Sequence, residues 1–312
     1  MTVVVLGDLM TDVVAWVSGP LAHASDTPAQ ITTHPGGGGA NVAARLATAG
    51  VETLLVARIG NDPAGRAAVE DLRAGGVRVS VAVDPVRPTG TVVVIVEPAG
   101  ERTMLPDRGA NAVLTPADLP VEEIRSATHL HLSGYTLLDP TSRSAALVAL
   151  EHAREAGVSV SVDPASAAPI ETAGPRAFLD WVRSADVLLP NLEEAVVLTG
   201  AREPEAAARA LARDGREVVI TLGADGALWS DGEQAVRAAA AEAPAPVDST
   251  GAGDAFTAGW LAARLDGAEP AEALAASIGA AEAGSTETLR PASRACSSAT
   301  SPAAREPGSS SV

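Results

Sequence analysis

The sequence predicts an α/β protein in which helices cover both faces of a doubly wound, mostly parallel sheet. Short continuous runs of Val, Leu and Ile recur along the chain, and most are followed by an Ala-rich segment with helical periodicity. Two segments, at about 13–35 and 88–109, instead have alternating or mixed polarity and contain turn residues. The first pattern predicts parallel strands flanked by helices, and the second predicts a small β-sheet lid.

The individual elements follow from these runs. We expect strands at Val3–Leu6, Thr53–Ile59, Val92–Val96, His129–Leu132, Val158–Val162, Val187–Leu189 and Val218–Leu222. We expect helices at Ala40–Ala49, Gly65–Ala74, Arg143–Ala156, Glu193–Leu198, Glu205–Arg213, Asp254–Leu265 and Ala271–Ala283. From residue 285 the composition turns to Ser, Ala, Pro, Thr and Arg without periodicity. The sequence therefore predicts one domain over 1–284, including the lid, and a disordered or loosely attached tail over 285–312.

Composition excludes several classes of function. The 312 residues include 39 Asp and Glu against 22 Arg and no Lys, for a net charge of -17, which argues against nucleic acid and anionic membranes as partners. The start of the chain lacks a basic segment, and no apolar run approaches a membrane span, so we expect a cytoplasmic protein. Without lysine, neither a Walker-type phosphate loop nor a protein-kinase site can exist. Phosphate chemistry would have to use backbone amides, arginines and metal.

The most informative motif is Asp248-Ser-Thr250-Gly251-Ala252-Gly253-Asp254, which precedes an amphipathic run. Small residues let backbone N–H groups converge at a helix start, which binds anions such as phosphate. A carboxylate beside an anion site suggests another task for Asp254, and proton abstraction from an attacking hydroxyl is one. The alternative interpretation is an ordinary helix N-cap.

A second glycine-rich stretch, Gly36–Gly39, precedes Asn41, whose amide offers a donor and an acceptor to a hydroxylated ligand. Asp8 and Asp12 follow the first strand, where ligands bind in open α/β sheets, and their carboxylates can accept hydrogen bonds from vicinal hydroxyls. The alternatives are a flexible turn for the glycines and turn-forming aspartates.

Two further clusters follow later strands. Asn191 and Glu194 are three residues apart and can direct oxygen ligands toward a hydrated Mg²⁺, or they can form a capping box. Thr221-Leu-Gly223-Ala-Asp-Gly226 ends a strand in a tight turn whose glycines would let a nucleotide approach the backbone. The His129-x-His131 pair lies in an apolar run and is interpreted as structural.

In this order and spacing, the motifs resemble those of the ribokinase-like (PfkB) carbohydrate kinase family. The resemblance runs from Val3 to about Ala283 and also includes Gly109-Ala-Asn111-Ala. It implies ATP-dependent phosphorylation of a hydroxymethyl group on a small sugar or sugar acid, with Mg²⁺ and, in some members, a monovalent cation such as K⁺.

The resemblance also implies a role for each matching residue. Asp254 would be the base, and Gly251, Ala252 and Gly253 would form the anion hole. The acceptor-binding residues would be Asp12, Gly37, Gly38 and Asn41. The nucleotide-binding residues would be Asn191, Thr221, Gly223, Gly226 and Thr250. The Mg²⁺ region would include Glu194 and Asn191.

Some features depart from the family pattern or leave alternatives open. Gly38 stands at the position where the ribokinase motif has a lysine, which weakens the expectation that ribose is the acceptor. Residues 284–312 do not match the family's last turn and helix. A nucleoside kinase of the same fold and a non-catalytic sugar- or nucleotide-binding homologue remain alternatives. Arg102 and Arg108 are interpreted as residues of a solvated lid face, or as partners of an anionic substrate. A homodimer through the lid is plausible, because sheet edges need cover.

Overall fold

The computed structural model of the chain describes residues 1–98, 101–213, 215–240 and 251–287. The strands of the described residues are, in chain order, β1 (Thr2–Leu6), β2 (Met10–Val17), β3 (Ala29–Gly36), β4 (Glu52–Gly60), β5 (Arg78–Asp84), β6 (Gly90–Val96), β7 (Arg102–Asp107), β8 (His129–Ser133), β9 (Ser159–Asp163), β10 (Val187–Leu188), β11 (Glu217–Thr221), β12 (Ala227–Ser230) and β13 (Ala235–Ala238). The α-helices are α1 (Gly38–Thr48), α2 (Pro63–Ala74), α3 (Val121–Ser126), α4 (Tyr135–Leu138), α5 (Arg143–Ala156), α6 (Ala167–Ala173), α7 (Pro175–Trp181), α8 (Leu192–Thr199), α9 (Pro204–Leu211), α10 (Ala252–Leu265) and α11 (Pro270–Glu287).

The larger sheet of the described residues has the order β13-β12-β11-β10-β9-β8-β1-β4-β5. The pairs from β11 to β5 are parallel, whereas β12 and β13 form an antiparallel edge. The strand order reverses between β1 and β8, and ligands of open α/β sheets bind at the carboxyl ends of the strands at such a point. Asp8 follows β1 there, as the sequence predicts.

Two aliphatic cores cover the two faces of this sheet. One contains Phe178 among leucines, valines and alanines of β8–β11, and the other contains Trp260 among residues of β1, β4, α1 and α10. The scarcity of aromatic residues in the sequence is thus reflected in the packing. No helix of the described residues is both long and apolar enough to cross a membrane.

The two segments predicted as a lid form a separate four-stranded sheet of order β3-β2-β6-β7. β2 pairs antiparallel with β3 and parallel with β6, and β6 pairs antiparallel with β7. Its first strand begins at Met10, three residues before the predicted boundary. The side chains of Val14, Val94 and Val96 form a small buried cluster of their own on this sheet.

The elements that sequence patterns missed are short or lie at sheet edges. β5 is an edge strand of 7 mostly half-buried residues, and β12 and β13 have only 4 residues each, so none of them produces a long continuous apolar run. α11 extends to Glu287, three residues into the segment predicted as a tail, and residues 288–312 lie outside the described part of the chain.

Close backbone contact, rather than turn conformation, requires glycine where β1 meets α1. A Cβ added to Gly39 would lie 2.6 Å from the Cα of Gly7.

We therefore expect Gly39→Ala to lower the free energy of unfolding by about 2 kcal/mol or more, because the added methyl group meets backbone that cannot move away. Urea denaturation measures the change. Gly279→Ala is the matched control, because a Cβ there meets no described atom within 4 Å and alanine favours the helix. Equal stability of both variants would contradict this packing.

Candidate active site

Two helix N-termini meet at the centre of the candidate site. α1 begins at Gly38, directly after β3, and packs against α10, which begins at Ala252. The side-chain amide of Asn41 donates from Nδ2 to Asp254 Oδ2 at 2.8 Å across this junction. A Cβ placed on Gly38 would lie 3.5 Å from Asp254 Oδ1, so a glycine there keeps the carboxylate approachable. The structure therefore brings together three residues that the sequence predicted for one site.

Two glycines of this site are required by backbone conformation. Gly251 caps α10 with φ 77°, and Gly37 has φ 95° with its Cβ direction only 2.5 Å from the Asp8 carbonyl oxygen. The first N–H groups of α10 have no partner within the helix. A Cβ added to Gly253 would meet no described atom within 4 Å, so open space lies beside them. The start of α10 has the geometry of an anion site.

Burial makes the central carboxyls weaker acids than usual. It raises the pKa of Asp254 to about 6, although the Asn41 hydrogen bond and the charge of Arg45 act in the opposite direction. Burial also raises the pKa of Asp12 to about 6, and the charge of Asp254 adds to this shift. Asp12 projects from β2 of the small sheet, and its carboxylate fills the space over Gly36. The two predicted acids thus lie close enough to influence each other.

A second acidic pair lies at the carboxyl ends of the neighbouring strands. Asp163 ends β9, and the buried Glu194 lies in the first turn of α8. Burial raises the pKa of Asp163 to about 7, with a further contribution from the charge of Asp254, and raises that of Glu194 to about 8, with a further contribution from Asp163. Sequence reasoning missed Asp163, although its place at the end of a predicted strand is the signal that identified Asp8 and Asp12.

The alternative interpretation of Asn191 and Glu194 as a capping box is confirmed. The backbone and side-chain N–H groups of Asn191 donate to the two Glu194 carboxylate oxygens at 2.9 and 2.7 Å, and Glu194 N donates to Asn191 Oδ1 at 2.9 Å. Each carboxylate oxygen therefore already accepts one hydrogen bond. A role toward Mg²⁺ is compatible with this arrangement only through the remaining lone pairs or through water.

The predicted nucleotide-binding residues lie on adjacent strand ends. Asn191 forms an isolated parallel bridge with Thr221, and Thr221 N donates to Pro190 O at 3.1 Å. Gly223 has φ 61°, and a Cβ there would meet no described atom within 4 Å. Gly226 differs, because its Cβ direction is blocked by the Ala238 carbonyl oxygen of β13. Strand packing accounts for glycine at 226 without a nucleotide. Asp248 and Thr250 lie outside the described residues.

Arg108 does not belong to a solvated lid face, and that interpretation was wrong. Its guanidinium donates to both carboxylate oxygens of Asp8 at 2.9 and 2.7 Å, and it lies 3.3 Å from Asp139 and over the ring of Tyr135. The Asp8 side chain is only 4% exposed. The ion pair joins the end of the small sheet to the end of β1. It occupies the Asp8 carboxylate, which the sequence analysis had suggested for hydrogen bonds with ligand hydroxyls.

The paired histidines are structural, as interpreted from the sequence. His129 and His131 are buried, and their rings share hydrogen bonds with Ser161, which His129 Nε2 approaches to 2.7 Å and His131 Nδ1 to 2.8 Å. Burial lowers the pKa of His129 to about 4 and that of His131 to about 3. Both rings are neutral near pH 7.

The raised pKa values of Asp163 and Glu194 predict a stability that falls as pH rises. Both carboxyls ionise near pH 4 in the unfolded chain, so the native state binds more protons until its own pKa values are passed. Between about pH 6.5 and 8 the histidines of the unfolded chain lose the last of their positive charge, whereas the buried His129 and His131 stay neutral in the native state. Their contribution raises the stability slightly over this range and offsets part of the decrease from the carboxyls. We expect the free energy of unfolding of the ligand-free protein to decrease over this range, on the order of 1–2 kcal/mol.

Urea denaturation at about pH 6.5 and at about pH 8 measures this decrease in the free energy of unfolding. Glu194→Gln is the matched variant, because glutamine can retain part of the capping box but has no proton to lose, and it should flatten the dependence. A wild-type stability that is constant or rises over this range would contradict the assignment of protons to these acids.

A family model described as pfkB family carbohydrate kinase matches residues 1–296. The 2-dehydro-3-deoxygluconokinase of Thermoproteus tenax is 33% identical over 292 residues, which cover 89% of the chain and 86% of that protein. The fructokinase of Vibrio alginolyticus is 30% identical over 235 residues, which cover 73% of the chain and 76% of that protein. These relatives confirm the sequence-based prediction of a sugar or sugar-acid kinase.

Solved structures have the same fold. A candidate ribokinase II of E. coli, solved in complex with ATP and Mg²⁺, aligns with a TM-score of 0.81 over 90% of the chain and 91% of that structure, at 23% identity. This likeness confirms the predicted fold class, a large mostly parallel sheet with a small separate sheet. The chain belongs to the pfkB family of carbohydrate kinases.

Proposed function

We propose that this kinase transfers the terminal phosphoryl group of ATP to a hydroxymethyl group of a small sugar or sugar acid, with Asp254 as the base. The observation that carries the proposal is the partly buried Asp254 carboxylate at the start of α10, held by Asn41 and with its pKa raised to about 6. Such a group is ionised near pH 7 and basic enough to accept a hydroxyl proton as the bond to phosphorus forms.

The transfer proceeds as one in-line displacement. Asp254 takes the proton of the acceptor hydroxyl, the hydroxyl oxygen bonds to the terminal phosphorus, and the bond from phosphorus to the ADP oxygen breaks. The backbone N–H groups of Gly251, Ala252 and Gly253 stabilise the transferred group, and the open space at Gly253 supports this role. Because the chain has no lysine, these amides and the α10 N-terminus supply the positive potential that a lysine gives elsewhere.

Acceptor binding is assigned to the junction of the small sheet with α1. Asp12 accepts hydrogen bonds from hydroxyl groups, Asn41 binds the acceptor while holding Asp254, and the backbone of Gly37 and Gly38 lies against the sugar. The small sheet closes over the acceptor as a lid and excludes water, which would otherwise compete for the phosphoryl group.

The nucleotide is assigned to the ends of β10 and β11. Asn191, Thr221, Gly223 and Gly226 would line its site, with Thr250 from outside the described residues. Mg²⁺ is assigned to the region of Glu194 and Asp163, two carboxyls close enough for the charge of Asp163 to raise the pKa of Glu194, because a cation there would favour their ionised forms. When bound, the ion neutralises phosphate charge during transfer. A role for K⁺ rests on the family resemblance alone. We place the enzyme in the cytoplasm, because it consumes ATP.

A panel assay of coupled ADP release tests the proposal. The acceptors are ribose, fructose, 2-keto-3-deoxygluconate, fructose phosphates, adenosine, inosine and pseudouridine, each with ATP and Mg²⁺. We expect turnover with a sugar or sugar acid, and a loss on the order of 10²–10⁴-fold in kcat for Asp254→Asn with an unchanged melting temperature, because the amide cannot accept the proton. Near-normal turnover by this variant would exclude Asp254 as the base, and preference for a nucleoside would replace the proposed acceptor class.

The small sheet is also the proposed contact surface of a homodimer. Its outer face, away from Asp12, carries half-buried Val13 and Val93 beside Ile31 and Leu105, which are 63% and 56% exposed. A second copy would cover this apolar surface and the sheet edges.

We expect sedimentation equilibrium to give twice the mass of one chain, and Ile31→Lys to give monomers. The control Val86→Lys changes an 88% exposed valine outside this sheet and should leave the dimer intact. A monomeric wild type would contradict the dimer.

A further inference from the structure

The small sheet has an inner face, defined by Asp12, Val14 and Trp16 of β2 with His34 and Thr32 of β3. These residues share one face because side chains alternate along a strand and the register places Asp12 opposite His34 and Val14 opposite Thr32. The face is directed toward the candidate site, because the Asp12 carboxylate lies against Gly36 and, two residues later, the Cβ direction of Gly38 meets Asp254 Oδ1 at 3.5 Å. The charge of Asp254 accordingly acts on Asp12. His34 is therefore the direct cross-strand neighbour of a residue assigned to acceptor binding.

Several polar atoms of the inner face are buried and lack a partner among the described residues. They are Asp12 Oδ1, Trp16 Nε1, Thr32 Oγ1 and His34 Nε2. A buried polar atom without a hydrogen bond is costly to the folded state, so such atoms are normally paired with protein, water or a ligand. Among these residues, His34 lies directly opposite Asp12, the residue assigned to acceptor binding. A hydroxylated ligand at that position would complete the hydrogen bonds of His34 Nε2 and Asp12 Oδ1.

The two faces of β2 and β3 differ in composition. On these two strands the outer face carries Val13, Ala15, Ile31 and Thr33, without an imidazole or indole group, whereas β6 is apolar on both faces. The imidazole and indole groups are thus placed on the side that faces Asp254. Successive inner-face residues are about 7 Å apart along a strand, a distance comparable to the length of a small sugar.

We propose that His34 is a specificity-determining residue that hydrogen-bonds a hydroxyl group at the end of the sugar remote from the phosphorylated carbon. This inference rests on the proposed function. A ring nitrogen fits a hydroxyl group in either tautomer, because the hydroxyl can donate to it or accept from it. Asp12 and His34, on adjacent strands, then form hydrogen bonds with neighbouring hydroxyl groups of the acceptor. Asp254 takes the proton from the hydroxyl group at the other end.

The test compares His34→Ala, His34→Gln and the control His23→Ala with the wild type. His23 is an exposed histidine in the connection between β2 and β3, so His23→Ala makes the same chemical change in the same segment but away from the inner face. Each protein is assayed with the best acceptor of the panel and with deoxy analogues that lack one hydroxyl group each. Melting temperature and the KM for ATP report on general structural damage.

We expect His34→Ala to raise the KM for the acceptor roughly tenfold with little change in kcat or in the KM for ATP, as for the loss of one hydrogen bond. His34→Gln should recover part of the loss, and His23→Ala should behave as wild type. With one deoxy analogue the effect of His34→Ala should disappear, because the substrate no longer carries the hydroxyl that His34 binds.

Two results overturn the inference while leaving the proposed function in place. One is an unchanged acceptor KM in His34→Ala, which would show that water alone satisfies the buried nitrogen. The other is an equal loss with every deoxy analogue, which would show a structural role. If instead the wild type phosphorylates no member of the panel, the proposed function fails and this inference fails with it.

Discussion

The hydrogen bond from Asn41 to Asp254 is the interaction on which the rest of the site depends. It joins the N-termini of α1 and α10, so the positive ends of two helices meet at one carboxylate. Because α1 begins two residues after the end of β3, the same contact ties the small sheet to Asp254, the proposed base. The residues assigned to acceptor binding and the proposed anion site at the start of α10 are therefore positioned relative to a single group. The glycines at 37, 38 and 251 allow the backbone approach that this contact requires.

The charge balance of the site explains how a lysine-free chain can carry out phosphate chemistry. Four carboxyls lie in or beside the site, and burial raises the pKa of each: Asp12, Asp163, Glu194 and Asp254. The buried Arg108 is paired with Asp8, so its charge is already balanced, and Arg45 contributes a positive charge near Asp254. The helix N-termini and a phosphate-bound Mg²⁺ are then the natural sources of positive potential.

Sequence patterns predicted the parts of the molecule that depend on local order. Continuous apolar runs located the central strands, and the glycine-rich motifs located Asn41 and Asp254. Patterns could not reveal the Arg108–Asp8 pair, since its members are 100 residues apart and only the fold brings them together. Gly226 carries the signature of a ligand loop, yet its close contact is the backbone of Ala238. The inner-face position of His34 likewise depends on strand register, which the sequence alone does not specify.

The protonation of Asp254 is tested most directly by NMR titration of its carboxyl carbon in ligand-free protein labelled with ¹³C-aspartate. The spectrum of Asp254→Asn assigns the signal. We expect a midpoint near pH 6, with a further rise when Asn41 is replaced by leucine, because the hydrogen bond that favours the ionised form is removed. A midpoint near 4, the ordinary value for aspartate, would mean that the carboxylate is solvated, and would contradict its proposed role as the base.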